Sequence, residues 1–157
     1  MEQNFIYKTA HTEHEFEQAR VLFKEYADLL GVDLSFQDFE KELGTIHIQY
    51  NKPAGGLLLV YLNDNPVACT GVRKSDERTA ELKRMFVKKE YRGQRIGVEL
   101  LKRSLNMAKN LGYEKIRLDT LENMAKAQEL YKSFGFYMIP PYRFNPIKGT
   151  IYMEKIL

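Results

Sequence analysis

The chain has 157 residues, of which 44% are hydrophobic and 29% are charged, and this composition excludes a largely disordered protein. No apolar run approaches the roughly 20 residues that a membrane-spanning helix needs, and the first residues show no secretory signal pattern. The only cysteine, Cys69, leaves no internal disulfide and fits a reducing compartment. We therefore expect one cytoplasmic domain over residues 1–157, without a membrane partner.

The net charge of +3 conceals an uneven distribution along the chain. Residues 83–109 carry nine basic and two acidic side chains, whereas residues 1–82 carry eight basic and fourteen acidic ones. A positive segment inside a nearly balanced protein indicates a localised anionic partner. Nucleic acid and a phosphorylated cofactor both fit this charge, but Phe86 and Tyr91 are the only aromatic residues in the segment, which counts against nucleic acid.

The first half of the chain alternates between strand-like and helix-like patterns. Thr12 and Glu15 form a capping-box pattern before apolar residues at helical spacing, and Gly31 is a plausible stop. Ser35 would cap a second, short helix, and residues 63–65 have hairpin-turn chemistry. The predicted elements are a strand at 4–10, helices at 12–31 and 35–44, and hairpin strands at 56–63 and 66–74.

The second half of the chain alternates strands with helices. The predicted elements are strands at 79–87, 115–121, 136–140 and 150–157, and helices at 96–112 and 123–135. Hairpin strands followed by strand–helix alternation indicate a protein of the α/β (α+β) class with a mixed sheet.

The turn between the strand ending at Val87 and the helix near Ile96 carries Gly93 and Gly97. Glycines leave backbone N–H groups unobstructed, and the first turn of a helix has N–H groups without internal partners. Basic side chains surround the same turn, namely Lys88, Lys89, Arg92 and Arg95. This combination suits a pyrophosphate, and an ordinary glycine-containing turn with solvated basic residues fits it equally well.

The segments AELKRMFVKKEYRGQRIGVELL and YEKIRLDTLENMAKAQELYKSFGF resemble the GNAT superfamily of acyl-CoA-dependent N-acetyltransferases. The family's cofactor loop reads Gln/Arg-x-x-Gly-x-Gly/Ala. Arg92 and Gly97 match its first and last positions, and Arg95 replaces its middle glycine. The resemblance covers residues 57–139, and the first helix and the last strands also resemble one uncharacterised bacterial subgroup. It implies a mixed, mostly antiparallel central sheet of about six to seven strands flanked by about four helices.

The resemblance also implies acetyl-CoA (coenzyme A) as the co-substrate. Asn123, Ala127 and Tyr131 would share one helical face towards the cofactor groove. Asn123 would hydrogen-bond the cofactor, and a helix N-cap is an equally good use of this asparagine. The resemblance further implies that the backbone groups of Met85, Phe86 and Val87 pair with the pantetheine arm. The pyrophosphate would bind to the backbone amides of Arg92, Gly93, Gln94, Arg95, Ile96, Gly97 and Val98.

Tyr131 is the first candidate for catalysis. A hydroxyl near the thioester sulfur can protonate the coenzyme A thiolate as it leaves. The alternative is an amphipathic tyrosine that fills the interface between helix and sheet.

Glu81 is the second candidate, as the general base that some family members carry at this offset. Strand alternation predicts that Glu81, Lys83, Met85 and Val87 share one face. Burial could raise the pKa of Glu81 towards neutrality, and Lys83 could cancel that effect. A salt bridge at the rim of the groove is the alternative, and other family members use chains of water molecules instead.

We therefore predict an enzyme that transfers an acetyl group from acetyl-CoA to a primary amine of a small molecule by direct attack in a ternary complex. A binding module that senses acyl-CoA without turnover would share every cofactor-binding residue. Arg84 or Arg143 could receive a substrate carboxylate. The three histidines have no metal-ligand spacing, so no metal is expected. No nucleic-acid partner is expected either, and the family commonly forms homodimers.

Overall fold

The computed structural model describes residues 3–31, 34 and 38–157. Its helices and strands, in chain order, are β1 (Ile6–Thr9), α1 (Glu13–Leu30), α2 (Phe39–Gly44), α3 (Ile46–Gln49), β2 (Gly56–Leu62), β3 (Asn65–Lys74), β4 (Thr79–Val87), a 3-10 helix (Lys89–Tyr91), α4 (Ile96–Asn110), β5 (Lys115–Leu121), α5 (Ala125–Ser133), β6 (Tyr137–Ile139) and β7 (Thr150–Ile156).

The strands form one seven-stranded sheet in the order β1-β2-β3-β4-β5-β7-β6. All neighbouring strands are antiparallel except β4 and β5, which are parallel. The predicted mixed, mostly antiparallel sheet is therefore confirmed. The described residues form five α-helices, and the one that the sequence patterns missed is the short α3.

Helix α1 begins and ends at the predicted residues. The Thr12 hydroxyl accepts from the Glu15 amide at 3.1 Å, and the Glu15 carboxylate accepts from the Thr12 amide at 3.0 Å. Gly31 ends the helix with a left-handed φ of 66°. The proposed cap of the second helix, Ser35, lies outside the described residues.

A two-residue turn joins β2 to β3. Asn63 and Asp64 have φ values of 51° and 66°, and two left-handed residues give a hairpin turn whose twist matches that of the flanking strands. Asn65 is already the first residue of β3.

Helices cover both faces of the sheet. On one face α1 packs over a buried cluster that includes Phe16, Leu22, Phe23, Leu57 and Leu59. On the other face α4 and α5 pack over a cluster that includes Leu101, Leu105, Ile116, Leu118 and Met153. Burial of these apolar side chains holds β4 and β5 at the centre of the fold.

Strand β4 contains a β-bulge near its carboxyl end. Gly71 of β3 pairs with Lys83 and Cys69 pairs with Phe86, so β4 has one residue more than β3 between these pairs. Arg84, inside this interval, has a φ of 58°. An extra residue in one strand sends the side chains that follow it to the opposite faces of the sheet.

The bulge changes which side chains of β4 lie together. Phe86 packs in the cluster beneath α1, whereas Met85 and Val87 pack on the side of α4. The prediction that Glu81, Lys83, Met85 and Val87 share one face is therefore wrong, because it assumed unbroken alternation along the strand.

Candidate active site

Strands β4 and β5 separate in the middle of the sheet. They pair over three residue pairs, the last of which joins Glu81 to Arg117. Beyond that pair β4 continues along β3 to Val87, and β5 continues along β7 to Leu121. The facing edges of the two strands therefore carry backbone N–H and C=O groups that no neighbouring strand of the described sheet pairs. We call this opening the fork.

A cleft lies in the fork, between β4, β5 and α5. Four site candidates from the sequence line it, namely Arg84, Met85, Ala127 and Tyr131. The sequence patterns missed Asp119 and Met124, which also line it. Asp119 was hidden because it occupies an ordinary strand position.

The amino terminus of α4 lies just after the carboxyl end of β4, where the fork opens. Gly93 and Arg95 in the preceding turn have left-handed φ values of 83° and 63°. Arg95 occupies the N-cap position and makes no side-chain capping bond. The first amides of α4 have no acceptor within the helix, and together with the helix dipole they favour an anion.

The residues of the turn before α4 are exposed, and the first residues of the helix are more buried. Residues 92–95 are exposed, Ile96 is buried, and Gly97 and Val98 are half-buried. A Cβ added to Gly97 would lie 3.7 Å from a methyl carbon of Leu130, so the first turn of α4 lies beside α5.

Arg92 ties the loop to the end of β4. Its Nε donates to the Val87 carbonyl at 3.0 Å. This bond holds the start of the turn close to the fork. It uses only Nε, so the two terminal nitrogens of the exposed guanidinium group are not part of it.

Arg95 has a left-handed φ of 63°, a conformation that glycine adopts at the least cost. We expect Arg95→Gly to stabilise the fold by roughly 0.5–1 kcal/mol, because a left-handed non-glycine residue costs about 1–2 kcal/mol and glycine returns only part of this through unfolded-state entropy. Urea denaturation would measure the change. Gln94→Gly is the matched control, because Gln94 is exposed in the same turn and is not among the residues with a positive φ, so glycine there should destabilise the fold. A lower midpoint for Arg95→Gly would show that the turn is not strained.

Tyr131 lies in the wall of the cleft. Its side chain is buried, with its ring centroid 5.7 Å from that of Phe136. Burial, followed by the charges of Tyr26 and Asp119, raises the pKa of Tyr131. The hydroxyl therefore stays protonated at neutral pH and can donate a proton or a hydrogen bond into the cleft.

Asn123 lies in the turn before α5 and is exposed. The helix begins at Ala125, with Met124 at the N-cap position and no side-chain capping bond. The N-cap interpretation of Asn123 is therefore wrong. Asn123 also does not share a helical face with Ala127 and Tyr131, because it precedes the helix.

Glu81 is buried and has partners on both carboxylate oxygens. Oε1 accepts from Arg73 Nε at 3.0 Å, and Oε2 accepts from the Tyr142 hydroxyl at 2.9 Å and from Arg143. Burial opposes ionisation, but the charges of Lys83, Arg73 and Arg143 outweigh it and lower the pKa of Glu81 to about 2. The pKa is thus lowered and not raised, and the contacts are those of a buried salt bridge.

The two arginines considered for a substrate carboxylate both have carboxylate partners inside the protein. Arg84 donates to Glu42 through Nε at 3.0 Å and through Nη2 at 2.8 Å. Arg143 donates to Glu81.

Cys69 is a buried core residue. Burial raises the pKa of its thiol, so it stays protonated and is a poor nucleophile. Across the part of the chain that the structure describes, no helix is both long and apolar enough to cross a membrane. Within the same residues, no group of three or more His, Cys, Asp or Glu side chains is arranged to hold a metal ion.

The chain belongs to the acetyltransferase (GNAT) family, whose model matches residues 16–136. An uncharacterised N-acetyltransferase of Schizosaccharomyces pombe is 37% identical over 138 residues, which cover 86% of this chain and 84% of that protein. Because this relative is eukaryotic, the narrower resemblance to a bacterial subgroup is not confirmed.

Solved structures share the fold. An acetyltransferase from Streptococcus agalactiae superimposes with a TM-score of 0.80 at 23% identity, covering 99% of each chain. A GNAT family acetyltransferase from Elizabethkingia anophelis, solved with acetyl-CoA bound, superimposes with a TM-score of 0.64 at 22% identity, covering 99% of this chain and 100% of that one.

Proposed function

We propose that the protein transfers the acetyl group of acetyl-CoA to a primary amine of a small molecule by direct attack in a ternary complex. Family membership supports the acetyl donor. The observation that carries the proposal is the fork, because its unpaired strand edges and Tyr131 border one cleft, and the first turn of α4 lies beside α5, which forms a wall of that cleft.

The cofactor would bind mainly through backbone groups. The amides of the pantetheine arm would pair with the free edge of β4 at residues 85–87, as an additional strand does. The pyrophosphate would lie on the amides of residues 92–98, with the exposed guanidinium groups of Arg92 and Arg95 adding positive potential. Asn123, exposed in the turn before α5, would hydrogen-bond the cofactor from the other side of the fork.

Transfer requires that the acceptor ammonium first loses one proton. The neutral amine then attacks the thioester carbonyl carbon, a C–N bond forms, and the C–S bond breaks. Tyr131 would protonate the leaving thiolate and regain a proton from the amide nitrogen, so that one proton is released overall. Backbone N–H groups of β4 would stabilise the oxyanion.

Glu81 suits a supporting role better than that of general base. A carboxylate with a pKa of about 2 has little tendency to take a proton from an ammonium group. We propose that Glu81 instead fixes Tyr142 and Arg143 over the sheet, and that water accepts the proton.

We expect Tyr131→Phe to lower kcat by about 100-fold, the usual contribution of a positioned proton donor, while the affinity for acetyl-CoA stays unchanged. Thiol release with the best acceptor from a panel of primary amines, together with calorimetric titration of acetyl-CoA, would measure both quantities. Tyr113→Phe is the matched control, because it removes a hydroxyl that donates to Ala54, on a residue that does not line the cleft. Full activity of Tyr131→Phe would exclude the proton-donor role.

The same measurements separate the enzyme from an acyl-CoA-sensing module. A sensor would bind acetyl-CoA saturably, release no thiol with any amine, and be indifferent to Tyr131→Phe.

A further inference from the structure

The β-bulge of β4 lies where the fork opens, and it turns two consecutive peptide groups the same way. The Lys83 carbonyl accepts from the Thr70 hydroxyl at 3.4 Å, and the Arg84 carbonyl accepts from the Cys69 thiol at 3.4 Å. Both donors belong to β3. In a regular strand the carbonyls of consecutive residues point to opposite sides. Here both point towards β3, because the bulge interrupts the alternation.

Two backbone N–H groups of the bulge point the other way, towards the fork. The C=O and N–H of a trans peptide group point in opposite directions, so the amides of Arg84 and Met85 are directed away from β3. Both residues line the cleft in the fork. Adjacent N–H groups that converge on one opening favour a negatively charged oxygen. These two amides are therefore the part of β4 best suited to stabilise an oxyanion.

The left-handed conformation of Arg84 gives these amides their direction. Its φ is 58°, which is unfavourable for any residue with a Cβ. Such a conformation persists only where the surrounding structure compensates its cost, and it is found most often at functional sites. A contact of the Arg84 side chain supplies this compensation.

The Arg84 side chain is anchored to α2. Its Nε and Nη2 donate to the two carboxylate oxygens of Glu42 at 3.0 and 2.8 Å. The guanidinium carbon lies 5.2 Å from the ring centroid of Phe39, and Glu42 and Phe39 both belong to α2. A pair of parallel hydrogen bonds fixes the orientation of the guanidinium group as well as its position.

Glu42 is itself held firmly. It is buried and accepts from the Tyr50 hydroxyl at 2.9 Å, and its Oε1 lies 3.7 Å from Arg73 Nη1. A buried ion pair is weak evidence for added stability, since the loss of hydration offsets the attraction. The position of this pair, between α2 and the backbone of the fork, indicates instead that it fixes a conformation.

We propose that the Glu42–Arg84 ion pair positions the oxyanion site of the reaction, by holding β4 in the conformation in which the amides of Arg84 and Met85 donate to the thioester oxygen. Glu42 and Arg84 are thus positioning residues, whose charged groups bond to each other and act on the reaction through the backbone. This inference rests on the proposed acetyl transfer. It gives α2 a part in the reaction.

The test compares two double variants that remove both charges, because loss of one partner alone would leave a buried charge unpaired. Glu42→Gln/Arg84→Gly places at position 84 the residue that adopts a left-handed φ at the least cost. Glu42→Gln/Arg84→Ala is its matched control, since it differs only by a methyl group that disfavours this φ.

The two double variants should differ in kcat with the best acceptor from a panel of primary amines. We expect kcat of the glycine variant to stay within about threefold of the wild type, and kcat of the alanine variant to be about 10-fold lower than that of the glycine variant. The Kd for acetyl-CoA should be the same in both variants, because the oxyanion develops only during the reaction. A merely structural ion pair would give no such split between kcat and Kd.

A measurement on the wild-type protein tests the amides directly and needs no variant. In NMR spectra, the amide proton resonances of Arg84 and Met85 should lie further downfield in the acetyl-CoA complex than in the coenzyme A complex, because only acetyl-CoA brings the thioester oxygen. Resonances at the same position in both complexes would show that these amides do not meet the thioester, even if neither double variant folds.

The other contrary outcomes also overturn the inference. Equal kcat in the two double variants, both near the wild-type value, would show that the bulge keeps its conformation without the ion pair. Equally low kcat in both would show that the charges themselves, and not the conformation, support the reaction. Failure of the proposed function is distinguishable from these results, because the wild-type protein would then release no thiol with any amine of the panel.

Discussion

The Gly97→Asp variant is expected to bind acetyl-CoA at least about 100-fold more weakly than the wild type. Gly97 is the second residue of α4, among the amides that would hold the pyrophosphate. A carboxylate there would repel the pyrophosphate and compete for the same N–H groups, in a setting where one charge contact contributes several kcal/mol. Calorimetric titration with acetyl-CoA would measure the loss.

We expect the Gly97→Asp variant to fold as stably as the wild type. An added Cβ meets its nearest neighbour, a methyl of Leu130, at an ordinary 3.7 Å. An acidic residue in the first turn of a helix is favourable, and Glu99 already occupies this turn. Gly97→Ala is the matched control, because it adds the same Cβ without charge and should keep nearly all of the affinity.

Gly97→Asp is a cleaner test of the loop than Arg92→Ala. Loss of the Arg92 side chain would also break its bond to the Val87 carbonyl and release the turn from β4. Wild-type affinity in Gly97→Asp would mean that the start of α4 is an ordinary glycine-containing turn.

The second large effect concerns stability. We expect Glu81→Gln to lower the free energy of unfolding at pH 7 by about 3 kcal/mol, because it leaves the buried cations around Glu81 without their counter-charge. For a chain of this length the loss corresponds to a Tm lower by roughly 6–12 °C. Differential scanning calorimetry would measure it, with Glu129→Gln as the exposed control.

The contribution of Glu81 to the free energy of unfolding depends on pH. The pKa of Glu81 in the folded protein is about 2, compared with the ordinary value of 4.5. A lowered folded-state pKa contributes stability above about pH 4.5 and loses it as the pH falls towards 2. The difference in Tm between wild type and Glu81→Gln should therefore shrink over that range. An unchanged Tm in Glu81→Gln at pH 7 would contradict this prediction.

Local sequence patterns predicted most of the fold because they act over short distances. The Thr12 capping box, the hairpin turn at residues 63–64 and strand β5 all follow from periodicity and turn chemistry. The turn before α4 was also predicted, because Gly93 and Gly97 mark it in the sequence.

Features that depend on distant partners could not be predicted in this way. The bulge at Arg84 has no sequence signal, because an arginine at a left-handed φ looks like any strand residue. The pKa of Glu81 depends on Tyr142 and Arg143, which lie 61 and 62 residues away. Asp119 is noticeable only in the folded structure, where its Oδ2 is buried without a hydrogen-bond partner.

Thiol release from acetyl-CoA by the wild-type protein, measured with and without each member of a panel of primary amines and with mass detection of the amine, tests the proposed function most directly. The account predicts thiol and N-acetylated amine in equal amounts, and no thiol above the buffer level when the amine is omitted. Saturable acetyl-CoA binding without amine-dependent thiol release would contradict it and leave an acyl-CoA-sensing domain in its place.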